Sequence, residues 1–212
     1  MEIHTIGVIG AGPLGAGITR SAALAGYDVI LEDVLPEMLE QGIASIERTL
    51  AAAVTRSEMK PDQKASALAR IRTAAAVEDV CRLADLLIDA LPEEFELKLE
   101  IFTIFDKFAK PGAILASATS TVLIADLAEM TYRQEDCIGL RFVHPVARMR
   151  RLEIICAPQT SDSTALAAEE FARRLGLAPA VVHESPAPAA GASANGSNSP
   201  SGILTKGALD ES

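Results

Sequence analysis

Short apolar runs alternate with longer amphipathic stretches along most of the chain. Thr5–Ile9, Val29–Glu32, Leu86–Ala90, Ala113–Ser117, Ile138–Phe142, Leu152–Cys156 and Ala180–His183 have the length and character of strands. Near-continuous apolar runs this short point to strands buried on both faces. Helical spacing fills the gaps between them. One helix follows the first strand to about Ala25, with Gly26 as its terminator. Pro36 opens a helix of roughly twenty residues, because proline fits a first helical turn, and Leu39, Ile43, Ile46 and Leu50 give it an apolar face. Pro61 opens another, which Ala65, Leu68 and Ile71 continue. Glu94–Phe108 reads as a helix ended by Lys110-Pro111-Gly112, and Asp162 as the cap of a helix through Leu175. The alternation predicts an α/β fold: a mostly parallel sheet with helices on both faces, over residues 1–185. From Pro186 the chain turns to Ala, Pro, Gly, Ser and Asn, so residues 186–212 are expected to be a disordered, flexible tail.

The first strand runs directly into Gly10-Ala11-Gly12-Pro13-Leu14-Gly15, and a helix follows at once. Three glycines at this spacing carry weight only in such a strand–loop–helix setting. Gly10 permits the tight turn, Gly12 lets the backbone approach a pyrophosphate, and Gly15 lets helix and strand pack closely. The helix that begins at Pro13 and Leu14 offers its free N–H groups to the phosphates. Asp33 stands 23 positions after Gly10, at the end of the second strand. A carboxylate there accepts both ribose hydroxyls of adenosine and repels a 2′-phosphate, and no Arg follows at positions 34–37. The pattern predicts a Rossmann-type domain that binds NAD(H) in preference to NADP(H). Glu32 competes for the ribose role, but its side chain should point to the opposite sheet face.

The composition narrows the setting. Of the 212 residues 49% are hydrophobic, enough for one substantial core, while 4% are aromatic, so small aliphatic side chains must do the packing. A net charge of −10 repels nucleic acid and anionic membrane surfaces, and neither is expected as a partner. No apolar run approaches the ~20 residues of a membrane span, and the start Met1-Glu2-Ile3-His4-Thr5 is unlike a signal peptide. A cytoplasmic protein is expected. Cys81, Cys137 and Cys156 are odd in number and far apart, which suits buried free thiols and no metal site.

Beyond the glycine loop, the chain resembles the NAD-binding domain of the L-3-hydroxyacyl-CoA dehydrogenase family, 3-hydroxybutyryl-CoA dehydrogenases included, over about residues 3–186. The matching motifs are Ile6–Gly17, Ala84–Glu94, Ala116–Thr121, Gly139–Val146 and Met149–Ile154, in the family's order. Members oxidise the 3-hydroxyl of an acyl-CoA and pass hydride to NAD, with a histidine–glutamate pair taking the proton. The resemblance implies that the glutamate is Glu153 and an assisting serine is Ser120. It also implies that Ala90, Glu93 and Lys98 lie beside the cofactor. A plainer reading of Lys98 is a surface pair with Glu94, four residues earlier.

The chain departs from the family where the chemistry sits. Arg141 holds the place of the catalytic histidine, and arginine, with a pKa above about 12, cannot act as a general base near neutrality. His144 replaces the motif's asparagine; it is expected near the nicotinamide, or else as a substitute base working with Glu153. The block that opens the family's C-terminal domain becomes Pro186-Ala187-Pro188-Ala189-Ala190-Gly191-Ala192. The resemblance thus implies an NAD(H)-binding protein with little or no standard dehydrogenase activity. The alternative is an oxidoreductase on a 3-hydroxyacyl-CoA or related substrate, with a rebuilt site or a separate C-terminal-type partner chain. Arg141, Arg148, Arg150 and Arg151 form the one dense basic group, which could bind an anion such as a CoA phosphate or a carboxylate, or be neutralised by nearby acids. An exposed apolar patch where the family's second domain would lie would favour a homodimer.

Overall fold

The computed structural model describes residues 2–142, 146 and 150–184. His144, Arg148 and the expected tail 186–212 lie outside the described residues. Eight strands form one sheet, in the order β3-β2-β1-β4-β5-β6-β7-β8. They are β1 (Thr5–Ile9), β2 (Asp28–Glu32), β3 (Ile71–Thr73), β4 (Leu86–Asp89), β5 (Ile114–Ser117), β6 (Cys137–Arg141), β7 (Arg151–Cys156) and β8 (Ala178–His183). The helices are α1 (Pro13–Leu24), α2 (Pro36–Thr55), α3 (Pro61–Ala69), α4 (Val77–Leu83), α5 (Phe95–Phe108), α6 (Ile124–Ala128) and α7 (Asp162–Arg174). All strand pairs are parallel except β6 with β7. The expected mostly parallel Rossmann-type sheet with helices on both faces is the fold observed.

Strand alternation divides the core in two. Ile6, Val8, Val29, Leu31, Leu86 and Ile88 face one cluster with Ile18 and Ala22 of α1, Ile46 of α2 and Phe171 of α7. Ile9, Ile30, Leu87 and Leu115 face the other, with Val80 of α4, Phe102 and Phe105 of α5 and Leu127 of α6. Every central strand is therefore covered twice, which accounts for its unbroken apolar run. Cys81, Cys137 and Cys156 are buried and unpaired, as the sequence suggested. Burial pushes the Cys81 thiol up to about 12 and the Cys137 thiol up to about 11.

Several local expectations are corrected. The helix from Pro61 stops at Ala69, and Ile71 instead opens β3, paired with Val29 of β2. Helical spacing alone could not distinguish a further turn from a short edge strand. The short helices α4 and α6 escaped notice because five to seven residues give too little periodicity to read. Ser161, not Asp162, caps α7: its hydroxyl accepts the N–H of Thr164. Strand β4 ends at Asp89, with Ala90 already in the following loop. Among the described residues no helix is long and apolar enough to cross a membrane.

Candidate functional site

The chain leaves β1 for β2 and β3 on one side, then crosses to β4 on the other, so the strand order reverses between β1 and β4. In open α/β sheets a crevice for ligands opens at such a switch point, beyond the carboxyl ends of the strands. The glycine loop lies in it. Gly10 has φ of +101°, a left-handed conformation that disfavours side chains, and its N–H donates to the Glu32 carbonyl at 2.8 Å. A Cβ on Gly15 would lie 1.8 Å from the Gly10 carbonyl oxygen, a backbone atom that cannot turn aside. Ala90 closes this knot: its carbonyl lies 3.0 Å from where a Gly10 Cβ would stand. A Cβ on Gly12, by contrast, would meet nothing within 4 Å. The loop thus keeps open space over the first turn of α1, whose N-terminus has Pro13 in its first turn and no side-chain cap. These residues fit a dinucleotide: backbone N–H groups and a helix N-terminus face a cradle with room for a pyrophosphate. Leu14 packs partly buried against the main core and anchors the turn.

Asp33 directly follows β2, beside the glycine loop. Its carboxylate accepts the Ala11 N–H at 2.8 Å and the Leu35 N–H at 3.0 Å, joining the end of β2 to the glycine loop. Glu32 is 3% exposed and lies on the sheet face of Ile30, opposite to the face of α1, as strand alternation required. Burial first, then the neighbouring charges of Asp33 and Glu78, raise its carboxyl to about 7. Among the described residues no cluster of three or more His, Cys, Asp or Glu is placed to hold a metal.

A second group gathers at the carboxyl ends of β4, β5 and β6. The Glu93 carboxylate accepts the Thr119 hydroxyl at 2.8 Å, the Ser120 N–H at 2.7 Å and the Ser120 hydroxyl at 3.1 Å. Burial works to raise the Glu93 carboxyl, but these bonds and the Lys98 charge outweigh it and bring it below its ordinary value. Lys98 does not form the surface pair with Glu94. It is fully buried, and its Nζ donates to Asp89 Oδ2 at 3.0 Å and to the Leu91 carbonyl at 3.2 Å. Asp89 also accepts the Ser117 hydroxyl at 2.7 Å and the Leu91 N–H at 2.9 Å. The Asp89–Lys98 pair therefore fixes the start of the loop that carries Glu93. Sequence reasoning missed Asp89; the available signal was one acid ending an otherwise apolar run, Leu86-Leu87-Ile88. Glu184 was missed too: it accepts the Ile124 and Ala125 N–H groups, tying α6, just after the Ser120 loop, to the end of β8.

The structure also brings Ser120, Arg141 and Glu153 together. Because β7 runs antiparallel to β6, Glu153 is the register partner of Arg141. Arg141 Nη1 donates to Glu153 Oε2 at 2.8 Å, and Nη2 makes a long 3.4 Å contact with the Ser120 carbonyl. Arg151 Nη2 donates to the other Glu153 oxygen at 3.2 Å. Arg141 and Arg151 are thus paired with an acid, and two guanidinium groups share the one carboxylate of Glu153. Arg150 is exposed. His4 and His183 lie exposed at the surface.

Residues 5–185 match the family model for the 3-hydroxyacyl-CoA dehydrogenase NAD-binding domain. Over 185 residues the chain is 41% identical to a 3-hydroxybutyryl-CoA dehydrogenase of Bradyrhizobium diazoefficiens, covering 87% of this chain and 63% of that protein. It is 34% identical to the mitochondrial hydroxyacyl-coenzyme A dehydrogenase of Sus scrofa, covering 87% of this chain and 60% of the relative. The crystal structure of (S)-3-hydroxybutyryl-CoA dehydrogenase from Ralstonia eutropha superposes with a TM-score of 0.84 at 34% identity, over 87% of this chain and 65% of that one. The chain thus spans less than two thirds of the length of these relatives.

Proposed function

The chain belongs to the 3-hydroxyacyl-CoA dehydrogenase family through its NAD-binding domain, and on that premise we propose that it binds NAD(H) but has little or no standard dehydrogenase activity. The observation that carries this reading is Arg141. Its guanidinium holds Glu153 at 2.8 Å, at the place where the family resemblance calls for a base. A guanidinium cannot take a proton from a hydroxyl near neutrality, and here it also occupies the carboxylate that would orient a base. NAD, when bound, supplies hydride-transfer chemistry. The glycine loop would seat its pyrophosphate, Asp33 its adenosine ribose, and Glu93 and Ser120 would face its nicotinamide half. Residues 1–185 are the binding unit in this reading.

A second reading is an active oxidoreductase on a 3-hydroxyacyl-CoA or related substrate, rebuilt around His144 or completed by another chain. The hydrogen-bonded arrangement of Glu93, Thr119 and Ser120 favours it, because it holds these polar groups together at the carboxyl ends of β4 and β5. Val34 and Leu35 after β2, Phe95 at the start of α5 and Leu123 after β5 are exposed at the same end of the sheet. A second copy of the chain covering them is the homodimer reading.

The deciding experiment is NADH titration by fluorescence, followed in the same cuvette by acetoacetyl-CoA with the nicotinamide absorbance watched. Saturable binding without NADH oxidation is expected. Turnover, above all turnover that disappears in His144→Ala, overturns the first reading in favour of the second. Failure to bind NADH overturns both.

A further inference from the structure

We propose that Glu32 recognises the adenine base of the dinucleotide, its carboxyl donating one hydrogen bond to a ring nitrogen and accepting another from the exocyclic amino group. The inference rests on the reading that the chain holds NAD(H), and it adds a residue for the base beside the one that faces the ribose. Glu32 ends β2, and its carbonyl accepts the Gly10 N–H at 2.8 Å, so its backbone is built into the glycine loop. Its side chain turns to the sheet face opposite α1, beside its register partner Ile9. Asp33, the next residue, is tied to the loop through the Ala11 N–H. With the pyrophosphate over the loop and the adenosine ribose at Asp33, the base is carried to the end of β2, where Glu32 lies. Leu91, which approaches Gly10, and the partly buried Ala74 and Val77 pack on the same face. They give that side of the crevice an apolar lining suited to a flat ring.

The Glu32 carboxyl has no protein partner. The residue is 3% exposed, yet no hydrogen bond among the described residues reaches its side-chain oxygens. Those oxygens are not sealed from solvent, so the small exposed part of the residue includes its polar end. An almost buried carboxyl without a partner is costly, and a ligand that pairs it gains accordingly. The surrounding charges favour the neutral acid. Burial, then Asp33 on its own strand end and Glu78 of α4, hold the carboxyl at about 7. Cys81, also of α4, is a buried thiol that stays protonated. Arg72 of β3 is the register partner of Ile30, one pleat back, and forms no ion pair with Glu32. Asp79 of α4 is paired with Arg82, and Asp89 of β4 with Lys98. A neutral carboxyl presents one O–H donor and one carbonyl acceptor side by side. Adenine presents the complement, an amino group next to a ring nitrogen. The ionised form can only accept, and it sets a negative charge against the ring nitrogen. Binding therefore selects protonated Glu32, and NADH affinity falls as pH rises above neutrality.

The test titrates NADH by fluorescence from about pH 6 to about pH 8.5, where uptake of one proton on binding predicts a loss of up to about tenfold per pH unit above neutrality. ADP-ribose, which keeps the adenosine half and lacks the nicotinamide, should displace NADH with the same pH dependence. Glu32→Gln keeps a donor and an acceptor but cannot ionise, so it should bind within about threefold of the parent at low pH and show no slope. Glu32→Leu should also lose the slope but bind about tenfold more weakly than the parent at low pH, because two hydrogen bonds are gone. Thermal melts followed by circular dichroism check that each variant is folded; if one is not, the pH dependence of NADH and ADP-ribose on the unaltered protein still decides. Affinity independent of pH, a slope absent with ADP-ribose, or a slope that survives Glu32→Gln overturns the inference. Glu32→Leu binding as tightly as the parent at low pH overturns it too, since Glu32 would then only repel the dinucleotide when ionised. These outcomes leave NADH binding itself intact, whereas failure of NADH to bind at any pH overturns the underlying reading as well.

Discussion

Replacing Lys98 with methionine tests whether the ion pair between the end of β4 and α5 organises this half of the site. Both side chains of the Asp89–Lys98 pair have zero solvent exposure, and the Nζ–Oδ2 distance is 3.0 Å. Methionine matches the stem of lysine in length and removes only the ammonium. Asp89 would keep the Ser117 hydroxyl and the Leu91 N–H but lose its counter-charge, and the Leu91 carbonyl would lose its donor. Breaking a buried pair from one side costs about 3–5 kcal/mol, because a charge remains without compensation. A surface pair with Glu94 would have been worth only about 0.3–0.5 kcal/mol. For a chain of this size the buried case lowers Tm by roughly 6–20 °C. Urea unfolding followed by circular dichroism, together with a thermal melt, measures both. The double variant Lys98→Met with Asp89→Asn removes both charges and should be less destabilised than the sum of the two singles. A loss below about 1 kcal/mol in Lys98→Met, or strict additivity in the double variant, would refute the argument.

The two loop glycines should separate by experiment. Gly15→Ala places a Cβ 1.8 Å from the Gly10 carbonyl and should distort the loop, reducing both stability and NADH affinity. Gly12→Ala meets open space, so urea stability should change by less than about 1 kcal/mol, while NADH affinity falls because the methyl stands where the phosphates belong. Glu32 makes stability depend on pH. Its folded carboxyl lies at about 7 against an ordinary 4.5, so the folded state binds the extra proton and stability falls as pH rises through that window. Glu32→Gln should remove a slope of up to about 1.4 kcal/mol per pH unit, read from urea midpoints at several pH values; an unchanged slope would count against the buried position. Asp33 should make NADPH bind at least about tenfold more weakly than NADH, a penalty that the charge and hydrogen bonds of one carboxylate can supply; Asp33→Ser should narrow the gap, and equal affinities in the parent would discount its ribose role.

What the sequence determined by itself is local. The glycine loop, Asp33 and the strands on either side are read within about thirty residues, because a turn, a strand end and a helix start are set by neighbouring backbone. The doubly covered sheet was legible for a related reason: apolar runs short enough for strands leave no face for water. The tertiary structure alone decided what depends on distant partners. Helical spacing placed Lys98 one turn from Glu94, but only the packing of α5 on the sheet turned it inward to Asp89. Arg141 and Glu153 are twelve residues apart, and they meet because β7 runs back along β6 in a register that makes them partners. Glu93 finds Thr119 and Ser120 for the same kind of reason: parallel strands β4 and β5 end side by side and deliver two loops to one place. Sequence spacing carries the period of a helix or a strand; the choice of face, register and partner is made by burial and by long-range pairing.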